Sequence, residues 1–204
     1  MTQKKGFLEN KENALLSLEK ALSENKADKG ILPVLKIIND SQQYFTSSSC
    51  AGRIVLLEIP VIGDKRQAEF LGIWHRTIKQ PELLSAAKKS SKGMIWLLVQ
   101  SPIIHIAAKT NAAADRLVKI ANASGFKNSN LKSVGKKPVV EVCSTERLDA
   151  PIGRNGILFC NEEHLELLID ISNEIIKKSA IKLQRLEQNL KKSLSTDKTT
   201  KNIR

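Results

Sequence analysis

The segment TSSSCAGR, residues 46–53, is the stretch of this chain best suited to holding a small anionic ligand. Its small side chains and its glycine let a ligand approach the backbone closely. Its hydroxyls, its backbone N–H groups and the guanidinium of Arg53 can bind a carboxylate or a phosphate. The alternative is a flexible serine-rich loop, although such loops seldom adjoin a buried apolar strand like the one that follows. The ligand-binding candidates in this predicted bend are Ser47, Ser48, Ser49, Cys50, Gly52 and Arg53.

Four further residues are of types that transfer protons or bind polar ligands. Asp149 follows a predicted strand in STERLD and is the first candidate for a general base, with Asp64 in the turn IGDK as the second. His75 in WHR could act as a base or stack on RNA, and a half-exposed structural histidine is the alternative. His105 alternates with apolar residues in PIIHIAA, a pattern that also suits a hydrogen-bonded core histidine. We keep His105 as a binding candidate.

The segment SGFKNSN, residues 124–130, follows a predicted helix and could meet a nucleic acid. Lys127 could contact a phosphate and Phe126 the face of a base, with Asn128 and Ser129 as polar neighbours. A plain glycine-capped helix exit is the alternative, but it explains only Gly125.

These residues need a framework of alternating helices and strands. Apolar periodicity predicts helices over 6–24, 31–38, 81–89 and 111–123, and a long helix from Asn161 to Leu194. Short β-branched runs predict strands over 53–59, 70–78, 94–99, 103–107, 139–143 and 157–160. The fold class is therefore α+β, with a mixed sheet in two strand groups, flanking helices and a long C-terminal helix. We predict one domain over residues 1–194 and a disordered basic tail over 195–204.

Composition limits the classes of function. The formal charge of +12 favours a polyanion such as nucleic acid as the partner. Three cysteines without a CxxC spacing argue against a disulfide framework and a zinc site, so we expect no metal and a reducing cytoplasm. No apolar run has the roughly 20 residues of a membrane span, so we expect no membrane partner. The absence of a G-x-G-x-x-G motif after the first strand disfavours a Rossmann cofactor site.

Four ordered segments together resemble one known family. YFTSSSCAGRI, PIIHIAA, SGFKNSN and STERLDAPIG, at these separations, resemble the wybutosine-synthesising protein 3 family over about residues 10 to 190. The short basic chain is similar to archaeal members. The resemblance implies an α/β fold that is not a Rossmann methyltransferase. It also implies that residues 47–53 form part of an active-site wall.

The resemblance implies a particular reaction. Family members use S-adenosylmethionine to methylate N4 of aminocarboxypropyl-demethylwyosine at position 37, in the anticodon loop of tRNA(Phe). Such a transfer requires in-line alignment and removal of the acceptor's proton, and the base must leave the loop stack. Two alternatives remain open at this point: a non-catalytic RNA-binding module, and an interaction scaffold built on the long C-terminal helix.

Overall fold

A computed structural model describes residues 2–63 and 65–199 of the chain. Its α-helices are α1 (Thr2–Ser23), α2 (Leu32–Asp40), α3 (Gln80–Ala87), α4 (Asn111–Ala123) and α5 (Glu162–Thr199). Its strands are β1 (Tyr44–Cys50), β2 (Arg53–Ile59), β3 (Glu69–Trp74), β4 (Met94–Gln100), β5 (Ile103–Ala108), β6 (Asn130–Ser133), β7 (Val139–Cys143), β8 (Arg147–Arg154) and β9 (Ile157–Leu158). Two short 3-10 turns lie at Lys29–Ile31 and Lys65–Gln67.

The chain forms two compact units, each with its own antiparallel sheet. The first unit contains residues 2–51, 102–145 and 180–199, and its strand order is β1-β5-β7-β6. The second unit contains residues 52–101 and 146–179, and its strand order is β3-β2-β4-β8-β9. The α+β class, the two strand groups and the long C-terminal helix are confirmed. The strands, however, form two antiparallel sheets, where the sequence had suggested one mixed sheet.

The first unit buries one face of its sheet under helices. Alternate residues of β5 and β7 point into this core, as the period of two in a strand requires. Phe126 and the apolar stripe of α4 pack against the same face. The residues that form this core include Ile104, Ile106, Val140, Val142, Leu117, Ala121, Leu183, Leu186 and Leu190.

The second unit repeats this arrangement on a separate core, whose residues include Ile54, Leu56, Ile95, Leu97, Val99, Leu83, Leu165 and Ile169. The buried carboxylate of Glu58 lies beside this core. It accepts hydrogen bonds from the Ser90 hydroxyl (2.5 Å) and from the backbone N–H groups of Ser91 (3.0 Å) and Lys92 (2.9 Å). These bonds supply the partners that a buried charge requires.

Several predicted boundaries were wrong. Residues 46–50 are part of strand β1 and not of a bend, and residues 147–154, where no strand is predicted, form strand β8. Helix α5 continues to Thr199, beyond the predicted end at Leu194. Residues 200–204 of the predicted tail lie outside the described residues. Because the chain crosses repeatedly between two units, the single domain over 1–194 stays a prediction.

Candidate active site

A row of polar side chains crosses the outward face of the first unit's sheet. In β5 the buried Ile104 and Ile106 flank His105, which therefore points to the opposite face. In β7 the buried Val140 and Val142 flank Glu141 in the same way. Register places His105 directly opposite Glu141, so the two side chains lie side by side on the outward face.

Strand β1 adds a serine to this row through an irregularity in pairing. The register shifts between Thr46 and Ser48, which brings Ser48 opposite His105. A β-bulge of this kind re-aims side chains at sheet edges and next to active sites. Before the shift, Thr46 is fixed because its N–H donates to Asn39 Oδ1 at 2.8 Å. After it, the N–H of Ala51 donates to Asp28 Oδ2 at 2.8 Å.

The row is a continuous chain of hydrogen bonds. Ser48 Oγ lies 2.8 Å from His105 Nδ1, and His105 Nε2 lies 2.9 Å from Glu141 Oε2. The other carboxylate oxygen of Glu141 lies 2.9 Å from Lys132 Nζ. The side chain of Glu141 is 13% exposed, so water screens these contacts only in part.

The ionisation of Glu141 decides how the histidine is oriented. Lys132 lowers the pKa of Glu141 by hydrogen bonding, and His105 adds to this effect against the opposing influence of burial. The carboxylate is therefore ionised near neutral pH and can only accept hydrogen bonds. We accordingly assign the proton of the neutral ring to Nε2, which donates to Glu141. Nδ1 is then the acceptor for the hydroxyl proton of Ser48.

This arrangement can move a proton. A group that gives its proton to Ser48 Oγ allows the serine proton to pass to His105 Nδ1, and the imidazolium that forms is stabilised by Glu141. The same geometry could activate the hydroxyl as a nucleophile. Both uses need a histidine held by a third group, which Glu141 provides.

Comparisons with known proteins identify the family. The family model described as Methyltransferase TYW3 matches residues 4–192. The chain belongs to this methyltransferase family. It is thus an enzyme, and the alternative of a non-catalytic RNA-binding module has no support.

Curated and solved relatives cover most of the chain. A Pyrococcus furiosus protein named tRNA(Phe) 7-((3-amino-3-carboxypropyl)-4-demethylwyosine(37)-N(4))-methyltransferase 1 is 48% identical over 181 residues, 88% of this chain and 92% of that protein. A Thermococcus kodakarensis protein of the same name is 46% identical over 91% of this chain and 94% of its own length. The solved structure of the PH1069 protein from Pyrococcus horikoshii has a TM-score of 0.88 at 46% identity, covering 93% of this chain and 98% of that one. The resemblance seen in the sequence is confirmed.

The TYW3-family site predicted from sequence is only partly assembled within the first unit. Strand β1 carries the exposed Ser47, Ser48 and Ser49 and the half-buried Cys50. Ser47 Oγ donates to the backbone carbonyl of His105 at 3.3 Å, so two of the serines contact this histidine.

The other catalytic candidates do not join this row. His75 and Asp149 belong to the second unit, as do Gly52 and Arg53. The ring nitrogen Nδ1 of His75 lies 3.2 Å from the carbonyl oxygen of Gly52, and the carboxylate of Asp149 forms an ion pair with Arg147. Asp64 lies outside the described residues. The roles suggested for these residues therefore stay predictions.

The loop at residues 126–129 differs from its predicted use. Phe126 is fully buried in the first unit's core, so it presents no ring to a base. The buried hydroxyl of Ser129 donates to the carbonyl of Phe126 at 2.7 Å and accepts from the N–H of Cys143 at 3.3 Å, so it stabilises the loop and is not offered to a ligand. Lys127 and Asn128 are exposed and stay binding candidates.

Sequence reasoning missed Glu141 and Lys132. One signal was present: Glu141 is the acidic residue in the otherwise apolar run VVEVC, at the outward position of an alternating strand. A carboxylate in that position suggests a partner on a neighbouring strand. Nothing in the sequence indicates that the partner is His105.

Proposed function

We propose that the protein is a cytoplasmic, S-adenosylmethionine-dependent tRNA methyltransferase that acts on tRNA(Phe). Its target is N4 of aminocarboxypropyl-demethylwyosine at position 37 in the anticodon loop, a step in forming wybutosine derivatives. The names and the coverage of the archaeal relatives support this substrate. No helix among residues 2–63 and 65–199 combines the length and apolar character that crossing a bilayer requires.

The single observation that supports catalysis most directly is the Ser48–His105–Glu141 chain. The acceptor nitrogen bears a proton that must leave as the new N–C bond forms, because the product would otherwise carry an unfavourable positive charge. Ser48 Oγ accepts that proton and passes its own to His105 Nδ1, 2.8 Å away. Glu141 then faces an imidazolium across 2.9 Å. General-base assistance of this kind contributes roughly 10²–10⁴-fold.

Lys132 has a supporting role in this proposal. Its ammonium lies 2.9 Å from Glu141 Oε1 and keeps the pKa of that carboxyl below its ordinary value. Because Glu141 stays ionised, it holds the Nε2–H tautomer of the neutral ring and leaves Nδ1 ready to accept a proton. Lys132 is therefore a positioning residue that acts through Glu141 and contacts no reacting atom.

The residue types of β1 fit the amino-acid end of the methyl donor. S-adenosylmethionine supplies, when bound, an electrophilic methyl group on a sulfonium. Ser47 adjoins Ser48 and donates its hydroxyl proton to the carbonyl of His105, so its exposed oxygen can accept from the ammonium of the cofactor. We propose that Ser47 holds that end of the cofactor.

The test is methyl transfer to tRNA(Phe) that carries the demethylated base, with nucleosides analysed by mass spectrometry. We expect the wild-type protein to add one methyl group, and His105→Gln and Ser48→Ala to be slower by roughly 10²-fold or more. His164→Gln is the matched control, since His164 is an exposed histidine of α5 whose backbone N–H donates to Asn161 Oδ1. No methyl transfer by the wild-type protein, or full activity in His105→Gln, would contradict the proposal.

A further inference from the structure

The outward face of the second unit's sheet is defined by strand register. Core residues such as Ile54 and Leu97 alternate with residues that point the other way. Pairing aligns those outward residues in four rows across the strands. The rows are Arg53–Gln100–Arg147, Ile73–Val55–Leu98–Asp149, Phe70–Leu57–Trp96–Pro151 and Ile59–Met94–Arg154.

The middle of this outward face is apolar where an open antiparallel sheet ordinarily carries polar side chains. Phe70 is 57% exposed and Ile73 is 43% exposed, on the edge strand β3. Val55 in the same rows is buried, so the exposed apolar area lies along β3. A pair of large exposed apolar side chains framed by charges marks a binding surface.

Arginines frame the apolar middle at both ends. Arg53 and Arg147 lie in the first row and Arg154 in the last, while Asp149 is the one carboxylate in the four rows and is paired with Arg147. The outward face therefore has an excess of positive charge, in a chain whose formal charge is +12. A surface of this sign attracts a polyanion.

Arg53 is held in position over an aromatic ring. Its Nε donates to Gln100 Oε1 at 2.8 Å, and its Cζ lies 5.9 Å from the centroid of the Phe70 ring. A guanidinium beside an exposed ring gives two flat surfaces on which a base can stack, and the guanidinium can also meet a phosphate.

We propose that this outward face binds unpaired nucleotides of an RNA loop, with a base stacked on Phe70 beside Arg53 and phosphates met by the arginines. Exposed aromatics on a sheet with basic neighbours are a recurrent way of holding single-stranded RNA. That the RNA is a tRNA anticodon loop rests on the proposed function. The excess of positive charge on this face, in a chain of formal charge +12, favours a polyanion over a protein partner.

The first test measures binding of the full chain to a tRNA(Phe) anticodon stem–loop without cofactor. Losing one stacked base costs about 1–3 kcal/mol, so we expect Phe70→Ala to weaken binding by about fivefold or more. Phe159→Ala is the matched control, because Phe159 is 71% exposed in the same unit but lies outside the four rows. Circular dichroism and melting temperature check that both variants are folded. Equal affinity of Phe70→Ala and the wild-type protein would overturn the proposal.

A second measurement identifies the occupant directly. Benzoylphenylalanine in place of Phe70 should crosslink to loop nucleotides on irradiation, and the same group in place of Phe159 should not. Crosslinks from position 70 only to a second copy of the chain, or equal crosslinking from both positions, would refute the RNA assignment. Both assays omit methyl transfer. If the protein binds RNA through Phe70 but transfers no methyl group, only the proposed function is refuted. If Phe70→Ala is active and binds RNA with wild-type affinity, only this inference is refuted.

Discussion

Replacing Glu141 by Gln tests the proton relay most sharply, because it removes one negative charge and keeps the shape of the side chain. The glutamine oxygen can still accept from His105 Nε2, which lies 2.9 Å from the carboxylate oxygen. What is lost is the charge that stabilises an imidazolium after the ring has taken a proton. The effect should therefore fall on the chemical step and not on the binding of either substrate.

The size of this effect follows from the contact. A hydrogen bond to a charged group is worth roughly 1.5–3 kcal/mol, against 0.5–1.5 kcal/mol for a neutral one. Glu141 is mostly shielded from water, so we take a loss of about 2 kcal/mol. At 1.36 kcal/mol per factor of ten, this loss slows methyl transfer by roughly 30-fold.

The assay is single-turnover methyl transfer with saturating tRNA and S-adenosylmethionine. We expect a rate lower by roughly 30-fold and unchanged affinities for both substrates. Glu187→Gln is the matched control, because it removes the carboxylate of the Glu187–Lys191 pair in the same unit. An unchanged rate in Glu141→Gln, or an equal loss in Glu187→Gln, would refute the relay.

Three further outcomes follow from the structure. Lys132 lowers the pKa of Glu141 in the folded chain, so the wild-type protein should be more stable than Glu141→Gln. This advantage should be complete above the ordinary Glu pKa of about 4.3 and should vanish as pH falls through the lower pKa of the folded state. Urea unfolding at several pH values measures the difference in free energy of unfolding, and a difference that does not change with pH would contradict the assignment. Gly93→Ala should lower the free energy of unfolding by roughly 1–3 kcal/mol, because Gly93 has φ +93° and a Cβ there would lie 2.5 Å from the carbonyl oxygen of Ile59. An unchanged melting temperature would contradict this backbone conformation at Gly93. Affinity for tRNA should fall steeply with salt because the chain carries +12, and a flat salt dependence would rule out electrostatic binding.

Local signals in the sequence predicted the elements with strong periodicity. The helix over 111–123 is present as predicted, and Thr110 caps it, its hydroxyl accepting from the N–H of Ala113 at 3.1 Å. The apolar runs 53–59 and 103–107 are strands, and the long apolar stripe after Asn161 is one helix. In these segments pattern and propensity agree with burial, so the local signal is sufficient.

The serine-rich segment was misjudged for a physical reason. Serine has no strong preference for strands, and Ser47, Ser48 and Ser49 show no alternation because all three are exposed. Their extended conformation is fixed by pairing with β5, which is far away in the sequence. Strand β8 is missing from the predicted strands on similar grounds, since its Pro151 and Gly153 are disfavoured in strands. Pairing with β4 holds them there, and Gly153 also pairs with β9.

The sequence by itself determined the fold class, the positive charge and the family to which the chain belongs, because each of these is carried by residue types and their local order. Only the tertiary structure decided that Ser48 and Glu141 would meet His105, from which they are separated by 57 and 36 residues. Those contacts depend on the register of three antiparallel strands and on one shift in that register. The alternation within one strand shows which of its residues are buried, but it does not show which strand pairs with it or in which register.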